Sequence, residues 1–360
     1  MADSFQNEVP KARINLKLAL HIGGAQKKIE LPLTEPMYST YHHQGPATAI
    51  GVGNSAGKIW TLNNAVNLFC NRKFLTGFTT PELGVERSSW ADMPCIEKEF
   101  MPTRFAGGYI NPIIRNMLDK GFYVYFTDVD DYYVKGKSWY HERHFLHNGL
   151  ICGYDRNNKT YSVYAYDSEW RYTKFQTPQS AFDAGRIAAQ RKGRFGTFCA
   201  IKMTNESVQL SPETVYDNLN RYLDSDLGKY PFDGEGVVYG SVVHTYISEY
   251  VMKLYRGEIP YERMDRRIFR LIWEHKKVML ERIIKVEEAL RFDNTLSEKY
   301  RPLVKEADTM RMLYASHHMK RRDSVLPIIS DKLLRLEKTE REILTELTEK
   351  MKKELEKNAV

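Results

Sequence analysis

The sequence predicts an α+β protein with a helical C-terminal part, on three observations. Between about residues 122 and 203, short β-branched and aromatic runs alternate with turn-forming residues, which is typical of strands joined by hairpins. From about Ser211 onward, apolar residues recur at helical spacing instead. The chain has 360 residues, 42% of them hydrophobic, which is enough for two or three units. We therefore expect a β-hairpin extension at 1–35, an α+β domain at 36–210 and a helical domain at 211–360.

The expected elements follow from local patterns. Residues 12–33 alternate apolar and polar side chains around Gly23-Gly24, which predicts two strands joined at the glycines. One helix is predicted at 58–70, with Cys70 at the end of its apolar run, and another at 113–120. Further strands are predicted at 122–128, 149–155, 161–166 and about 195–203.

Apolar stripes at helical spacing fill the C-terminal part. They run from Ile268 to Leu290, from Leu303 to Tyr314 and from Leu333 to Leu355. His275 lies within the first stripe, where a packed core histidine is the expected role. Such a region is expected to form an antiparallel bundle. It carries no chemical motif, so scaffolding, substrate gating and self-association as a homodimer all stay open.

The most informative stretch is the predicted hairpin that ends at Asp167. His147 starts one strand and Asp167 ends the next, so antiparallel pairing is expected to set them side by side. A carboxylate in that place holds the imidazole in one tautomer and stabilises its charged form, as a general base needs. His144 is three residues away and falls on the opposite face of the strand, so only one histidine can face Asp167. The alternative is a chance combination of two residues in structural roles.

The residues around this hairpin resemble those of the butirosin biosynthesis protein H N-terminal family. His147, five intervening residues and Gly-Tyr-Asp are followed by a hairpin and an aromatic-rich strand that ends in Asp167. Residues 117–133 are similar to that family's helix, glycine, strand and Asp-x-Tyr-Tyr segment, and residues 178–184 resemble its next helix. The similarity is strongest over residues 115–185.

The resemblance implies a papain-like (C39-like) cysteine peptidase fold and a transferase of specialised-metabolite biosynthesis. Such a protein moves an acyl or peptidyl group from a carrier-protein thioester to a small amine and forms an amide bond, as in antibiotic assembly. In this picture His147 deprotonates the nucleophile and later the amine, and Asp167 orients His147. Gln44 and Tyr133 would contact the oxyanion or the substrate. No cofactor is implied beyond the phosphopantetheine arm of an acyl or peptidyl carrier protein.

The family's nucleophile is a cysteine early in the chain, at the start of a long helix, and residues 41–51 contain none. Three explanations stay open. The cysteine has been replaced, with Ala47 or Ala49 as the vacated position just past Gln44. Alternatively, the chain is a non-catalytic relative that binds carriers or peptides. In the third case another residue attacks, as in a cysteine peptidase or thioesterase.

Four cysteines are candidates for that other residue. Cys95 is the better one, because it follows a proline, is expected to open a short helix and precedes His147 in chain order. Thr48 and Ser55 are weaker, because a hydroxyl needs a better-aligned base than a thiol does. Buried packing is the expected role of the other three cysteines: Cys70, Cys152 and Cys199.

Composition and motifs exclude several other function classes. The histidines lack metal-ligand spacing, so no metal site is predicted. Residues 51–58 superficially suggest a phosphate loop, but Ile59 stands where Ser or Thr is required. The 53 basic and 46 acidic residues give a net charge of +7, which suits an acidic carrier protein and lacks the clustering typical of nucleic-acid binding. Four cysteines without framework spacing and no long apolar run predict a cytoplasmic protein without a membrane segment.

Overall fold

The structure is a computed structural model that describes residues 26–39, 55–76, 80–85, 93–105, 107–225 and 236–358. It is an α+β protein with an antiparallel sheet and C-terminal helices, as predicted. The strands are β1 (Lys28–Glu30), β2 (Leu68–Asn71), β3 (Gly84–Val85), β4 (Ile96–Pro102), β5 (Tyr123–Asp130), β6 (Leu146–Asp155), β7 (Thr160–Tyr166), β8 (Tyr172–Pro178), β9 (Thr197–Met203) and β10 (Val237–Tyr239). The helices are α1 (55–64), α2 (Ile110–Asp119), α3 (Gln179–Arg191), α4 (Pro212–Asp224), α5 (Val243–Tyr255), α6 (Ile268–Leu290), α7 (Thr295–Lys320) and α8 (Val325–Asn358).

The chain folds as two compact units. Unit 1 holds the described parts of Met1–Pro36, Gln44–Gly57 and Met93–Ser207. Unit 2 holds the described parts of Met37–His43, Lys58–Asp92 and Val208–Val360. Unit 2 thus includes Lys58–Asp92 from within the α+β domain expected at 36–210, because β2 pairs with β10 and so joins this part of the chain to the helical region.

Unit 1 is built on an antiparallel sheet with the strand order β4-β9-β5-β6-β7-β8 among the described residues. The short strand β1 pairs with the end of β6, where Ile29 lies opposite Tyr154. Helices α2 and α3 supply apolar side chains to the same core as the sheet, and Phe182 of α3 meets Phe126 of β5 edge to face at 5.0 Å. The central strands β5 and β6 are buried over most of their length, which explains their nearly continuous apolar runs.

A bulge near the end of β5 sets the position of the residues that follow it. The pairing of β5 with β6 shifts between Phe126 and Val129, and Asp128 adopts a left-handed conformation with φ 55°. Gly196 lies against this bulge so closely that a Cβ atom would come within 2.1 Å of the Thr127 carbonyl oxygen. Beyond the bulge, Val129 pairs with His147, so the chain leaves β5 directly beside the start of β6.

Unit 2 combines the small sheet β10-β2-β3 with α4 to α8 around one apolar core. Its core also contains charged groups. Glu340 accepts hydrogen bonds from Lys276 at 2.6 and 2.7 Å and from the Tyr222 hydroxyl at 2.8 Å. The buried Arg282 guanidinium donates to the carbonyl oxygens of Leu62 and Ala65, at 2.7 and 2.8 Å. These carbonyls belong to the C-terminal part of α1 and the residues just after it, so Arg282 satisfies groups that the helix leaves unpaired.

Several predicted elements need correction. The helix expected at 58–70 ends at residue 64, and Cys70 lies in β2, because the segment from Phe69 to Asn71 pairs with β10. Cys95 does not open a helix but directly precedes β4, and neither β4 nor β8 was predicted. The first strand of the expected N-terminal hairpin falls outside the described residues. No helix in the described part of the chain is long and apolar enough to span a bilayer.

Candidate functional site

A buried histidine and aspartate meet where β5 ends and β6 begins. His147 is the second residue of β6, and Asp131 opens the short helical turn Asp131–Tyr133 that follows β5. The His147 Nδ1 atom lies 2.6 Å from Asp131 Oδ2. Both residues are buried, with 9% of His147 and 2% of Asp131 exposed. A charge-assisted hydrogen bond of this length in a buried place holds the imidazole in a fixed orientation.

The hydrogen bond also selects the tautomer of His147. A carboxylate can only accept, so Nδ1 must carry the proton. In the neutral ring, Nε2 then carries a lone pair, and among the described residues no protein group hydrogen-bonds to it. Phe145 meets the same ring edge to face at 5.0 Å. His147 thus combines a fixed, correctly protonated ring with a free basic nitrogen, which is the arrangement that a general base requires.

A second histidine and aspartate lie next to the first pair. The His144 Nδ1 atom is 2.8 Å from Asp130 Oδ2, and the His144 ring stacks on Tyr132 at 4.4 Å. Asp130 is fully buried and also accepts the backbone N–H groups of Tyr132 and Phe145, at 3.2 and 3.1 Å. Half of the His144 side chain is exposed, in contrast to His147. The extra backbone bonds indicate that Asp130 mainly shapes the turn.

Asp167, the predicted partner of His147, makes other contacts. Its carboxylate accepts the backbone N–H groups of Glu169 and Arg171, at 2.8 and 2.9 Å, and pairs with the Arg171 guanidinium at 2.9 Å. Burial acts to raise the pKa of Asp167, but these hydrogen bonds and the Arg171 charge outweigh it and hold the pKa below its usual value. No hydrogen bond or ion pair joins Asp167 to His147.

The predicted register was nevertheless close to the observed one. The last β6–β7 pair is Leu150 with Tyr164, and three further residues on each strand would set His147 opposite Asp167. Strand β7 ends at Tyr166, however, and Asp167 turns into its own tight loop. Because β6 has a second neighbour in β5, the carboxylate comes from Asp131 on that other side.

Cys95 lies too far from His147 to be the nucleophile that this histidine deprotonates. Ile96 pairs with Met203 on β9, and Ile201 of β9 pairs with Tyr123, so Cys95 lies near the opposite end of the sheet from His147. The separation along the strands is roughly 25 Å at about 3.3 Å per residue. β4 is also three strands from β6. Burial raises the pKa of the Cys95 thiol, which opposes nucleophilic activation.

The other three thiols are buried, as expected. Burial raises the pKa of Cys152 and of Cys199 to about 12, and it raises the pKa of Cys70 as well. The side chain of Cys152 donates to the Ser162 carbonyl oxygen at 3.5 Å. These four cysteines are the only ones in the sequence, so the chain presents no exposed thiol to His147.

Of the remaining predicted site residues, Ala47, Ala49, Gln44 and Thr48 lie outside the described residues. Tyr133 is described, and it ends the same helical turn that Asp131 opens. Its ring contacts Tyr132 edge to face at 5.1 Å. The described residues contain no group of three histidine, cysteine, aspartate or glutamate side chains placed to hold a metal ion.

Aromatic side chains border the site on the solvent side. Phe145, which contacts His147, is 37% exposed, and its ring centroid lies 6.4 Å from that of Trp139. Trp170 is 49% exposed and meets Trp139 edge to face at 5.7 Å. The Asp167 turn holds Trp170 in a left-handed conformation with φ 60°. Asp167 therefore contributes to this aromatic surface rather than to the histidine.

The sequence pattern pointed to His147 but paired it with Asp167 and not with Asp131, although Asp128 ends a predicted strand and Asp130 and Asp131 follow it closely. The signal available in the sequence was this group of carboxylates, at the end of the strand before the one that carries His147. Comparison with protein-family models gives no match for this chain, and comparison with curated proteins gives none at the significance threshold.

Proposed function

We propose that unit 1 is an acyl-transfer domain in which His147 is the general base and Asp131 is its orienting partner. The 2.6 Å contact between His147 Nδ1 and Asp131 Oδ2, in a buried place, is the observation that carries the proposal. It leaves Nε2 as the only ring nitrogen able to accept a proton. A papain-like arrangement of the antiparallel sheet and helices is part of the same proposal, and it rests on the motifs around His147.

The reaction we propose is the attack of a small amine on a carrier-bound thioester. The amine nitrogen forms a bond to the carbonyl carbon and the carbon–sulfur bond breaks. His147 takes the proton of the attacking amine and returns it to the departing thiolate. Products are an amide and the free thiol of the phosphopantetheine arm, so atoms and charges balance without a metal or a redox partner.

The route depends on whether a thiol is available. All four cysteines are buried, so the chain as it stands would catalyse direct aminolysis without an acyl-enzyme. A cysteine at position 47, where the resemblance implies the family nucleophile, would allow two steps through a covalent acyl-enzyme. The same base serves both routes, because His147 then deprotonates first the thiol and later the amine.

The exposed aromatic surface next to His147 supports a substrate-binding role for this side of unit 1. Trp139, Trp170 and Phe145 offer apolar area within reach of the histidine, and exposed aromatic clusters of this kind commonly bind ligands. We propose that the acyl group of the donor lies against these rings while its thioester faces Nε2.

The test is amide formation from acyl-loaded carrier protein and a panel of primary amines, followed by mass spectrometry. We expect His147→Ala to slow the reaction by on the order of 10²–10⁴-fold, which is the usual contribution of a general base. His144→Ala is the matched control, because it removes an adjacent histidine bonded to its own aspartate. We expect that variant to keep its rate within about tenfold.

Three results would count against the proposal. Equal losses in the two histidine variants would show that His147 has no special role. Carrier binding without any amide above the uncatalysed rate, in the natural chain and in Ala47→Cys alike, would favour a non-catalytic binding protein. Hydrolysis to the free acid in place of amide would favour the thioesterase or peptidase class, with the same base acting on water.

A further inference from the structure

Lys137 is a buried cation beside the His147–Asp131 pair. It lies in the loop after the turn Asp131–Tyr133, and only 4% of it is exposed. Its Nζ atom is 3.6 Å from Asp131 Oδ1, the carboxylate oxygen that His147 does not use. Among the described residues, this ammonium group has no hydrogen-bond partner.

The loop is shaped to keep Lys137 inside. Gly136 has φ +100°, and a Cβ atom there would come within 2.7 Å of the Phe175 ring. The same ring lies 5.9 Å from the Lys137 Nζ atom. Only glycine fits so close an approach at that backbone conformation. Gly136 thus permits the backbone conformation that places Lys137 inside the protein, where most lysines would reach solvent.

Burying an ammonium group without hydrogen bonds is costly, so its charge must be offset nearby. Burial lowers the pKa of Lys137, and the carboxylates of Asp131 and Asp167 act in the opposite direction. Lys137 therefore interacts electrostatically both with Asp131, which bonds to His147, and with Asp167, which was the predicted partner of His147. The other charged groups around this cluster are already paired: Arg171 with Asp167 and Glu169, and Lys192 and His144 with Asp130.

We propose that Lys137 is a positioning residue that sets the proton affinity of His147 through Asp131. By attracting Oδ1, the ammonium keeps Oδ2 on the histidine and offsets part of the carboxylate's negative charge. A less negative partner stabilises the imidazolium less, so His147 stays a neutral base over a wider range of pH. The catalytic meaning of this effect rests on the proposed function, whereas the electrostatic effect itself does not.

The test follows the His147 ring by NMR titration in the full-length protein. Lys137→Met removes the charge at similar length, and we expect the titration midpoint of His147 to rise by on the order of one pH unit. Lys137→Arg should restore most of the original midpoint. Lys192→Met is the matched control, because Lys192 pairs with Asp130 at 3.4 Å on the neighbouring histidine pair. In that variant we expect a change of a few tenths of a unit at most.

An unchanged His147 midpoint in Lys137→Met, or an equal rise in Lys192→Met, would overturn the proposal. Should Lys137→Met not fold, ¹⁵N-lysine labelling of the natural protein answers the same question. The Lys137 Nζ signal should then respond at the pH where His147 titrates, because coupled groups sense each other. A Lys137 Nζ signal that does not shift at the pH where His147 titrates would also overturn the proposal.

Kinetics separate this inference from the proposed function. If both hold, the acid limb of the pH–rate profile for amide formation moves to higher pH in Lys137→Met, in step with the NMR midpoint. A shifted midpoint in a protein that forms no amide would reject the acyl-transfer function and leave the role of Lys137 intact. A shifted rate profile with an unmoved midpoint would reject the role of Lys137.

Discussion

Burial separates the roles of the two neighbouring histidines. Both His144 and His147 place Nδ1 on an aspartate, yet only His147 is enclosed. The His144 side chain is half exposed, so solvent screens its interaction with the buried Asp130. The pair formed by His147 and Asp131 is buried on both sides and is screened less, so Asp131 can orient its histidine to an extent that Asp130 cannot.

The carboxylates differ in a second way. Asp130 and Asp167 each accept backbone N–H groups and so fix local turns, whereas Asp131 accepts from His147 and attracts Lys137. A carboxylate that accepts hydrogen bonds from nearby backbone N–H groups has mainly a structural role. Asp131, with side chains on both oxygens, can transmit a change at one partner to the other. The chemistry of the site therefore depends on which acid faces which side chain, and composition alone does not reveal this.

At the scale of single elements, the bulge in β5 decides where the acids lie. Without the extra residue between Phe126 and Val129, the strand would present Asp130 and Asp131 one position earlier and on the opposite faces. Gly196, which directly precedes β9, approaches the Thr127 carbonyl closely and so supports the bulge. Geometry of the site thus depends on a glycine that touches neither histidine.

Gly196→Ala is expected to destabilise unit 1 by about 1–3 kcal/mol, the usual cost of overpacking. Its new Cβ would lie 2.1 Å from a backbone oxygen, which cannot move aside as a flexible side chain can. Hydrogen exchange of the β5 amides would measure the loss. Gly108→Ala is the control, since nothing lies within 4 Å of its Cβ position, and it should stay within about 0.5 kcal/mol of the natural chain. Equal effects in both variants would contradict the role given to Gly196.

The predictability of each element follows from the range of the interactions that form it. Local periodicity predicts β6, β7 and the long C-terminal helices, and all of these elements are present in the structure. The choice of Asp131 over Asp167 depends on which neighbour of β6 supplies the acid, and that choice involves a bulge with no clear sequence signature. Residues 68–71 and 96–102 became strands because distant partners pair with them. Helical spacing could not show either pairing.

At the scale of the whole molecule, the units contain different kinds of buried charge. Unit 1 places the buried Asp131 and Lys137 beside His147, at the edge of an exposed aromatic surface. Unit 2 encloses Lys276 and Glu340 among helices, with His244 and His275 close by. Removing one member of such a pair would leave an uncompensated buried charge. The network is therefore expected to specify how α6 packs against α8, and to add little to the net free energy of unfolding.

This network predicts that unit 2 loses stability in mild acid. Burial lowers the pKa of His244 to about 4, against an ordinary value of 6.5. Because the folded pKa is the lower one, the unfolded chain binds the proton first as the pH falls. Stability is therefore complete above pH 6.5 and is lost towards pH 4. The buried His275, whose pKa burial also lowers, acts in the same direction.

Hydrogen exchange of the α8 amides at pH 7 and pH 5, corrected for intrinsic rates, would measure the effect. We expect a loss of about 2 kcal/mol, from the linkage relation for a single group with these two pKa values. His244→Gln should remove part of this pH dependence, whereas His141→Gln, at an exposed position, should leave it unchanged. Equal stability of α8 at the two pH values would contradict a neutral, buried His244.

In the proposed reaction Asp131, and not Asp167, is the acid that orients His147. The most direct measurement compares the rates of amide formation by Asp131→Asn and Asp167→Asn under identical conditions. We predict that Asp131→Asn falls by on the order of 10²–10⁴-fold, because the amide cannot hold the required tautomer, and that Asp167→Asn stays within about tenfold. A loss in Asp167→Asn as large as that in Asp131→Asn, or an unchanged rate in Asp131→Asn, would contradict the claim.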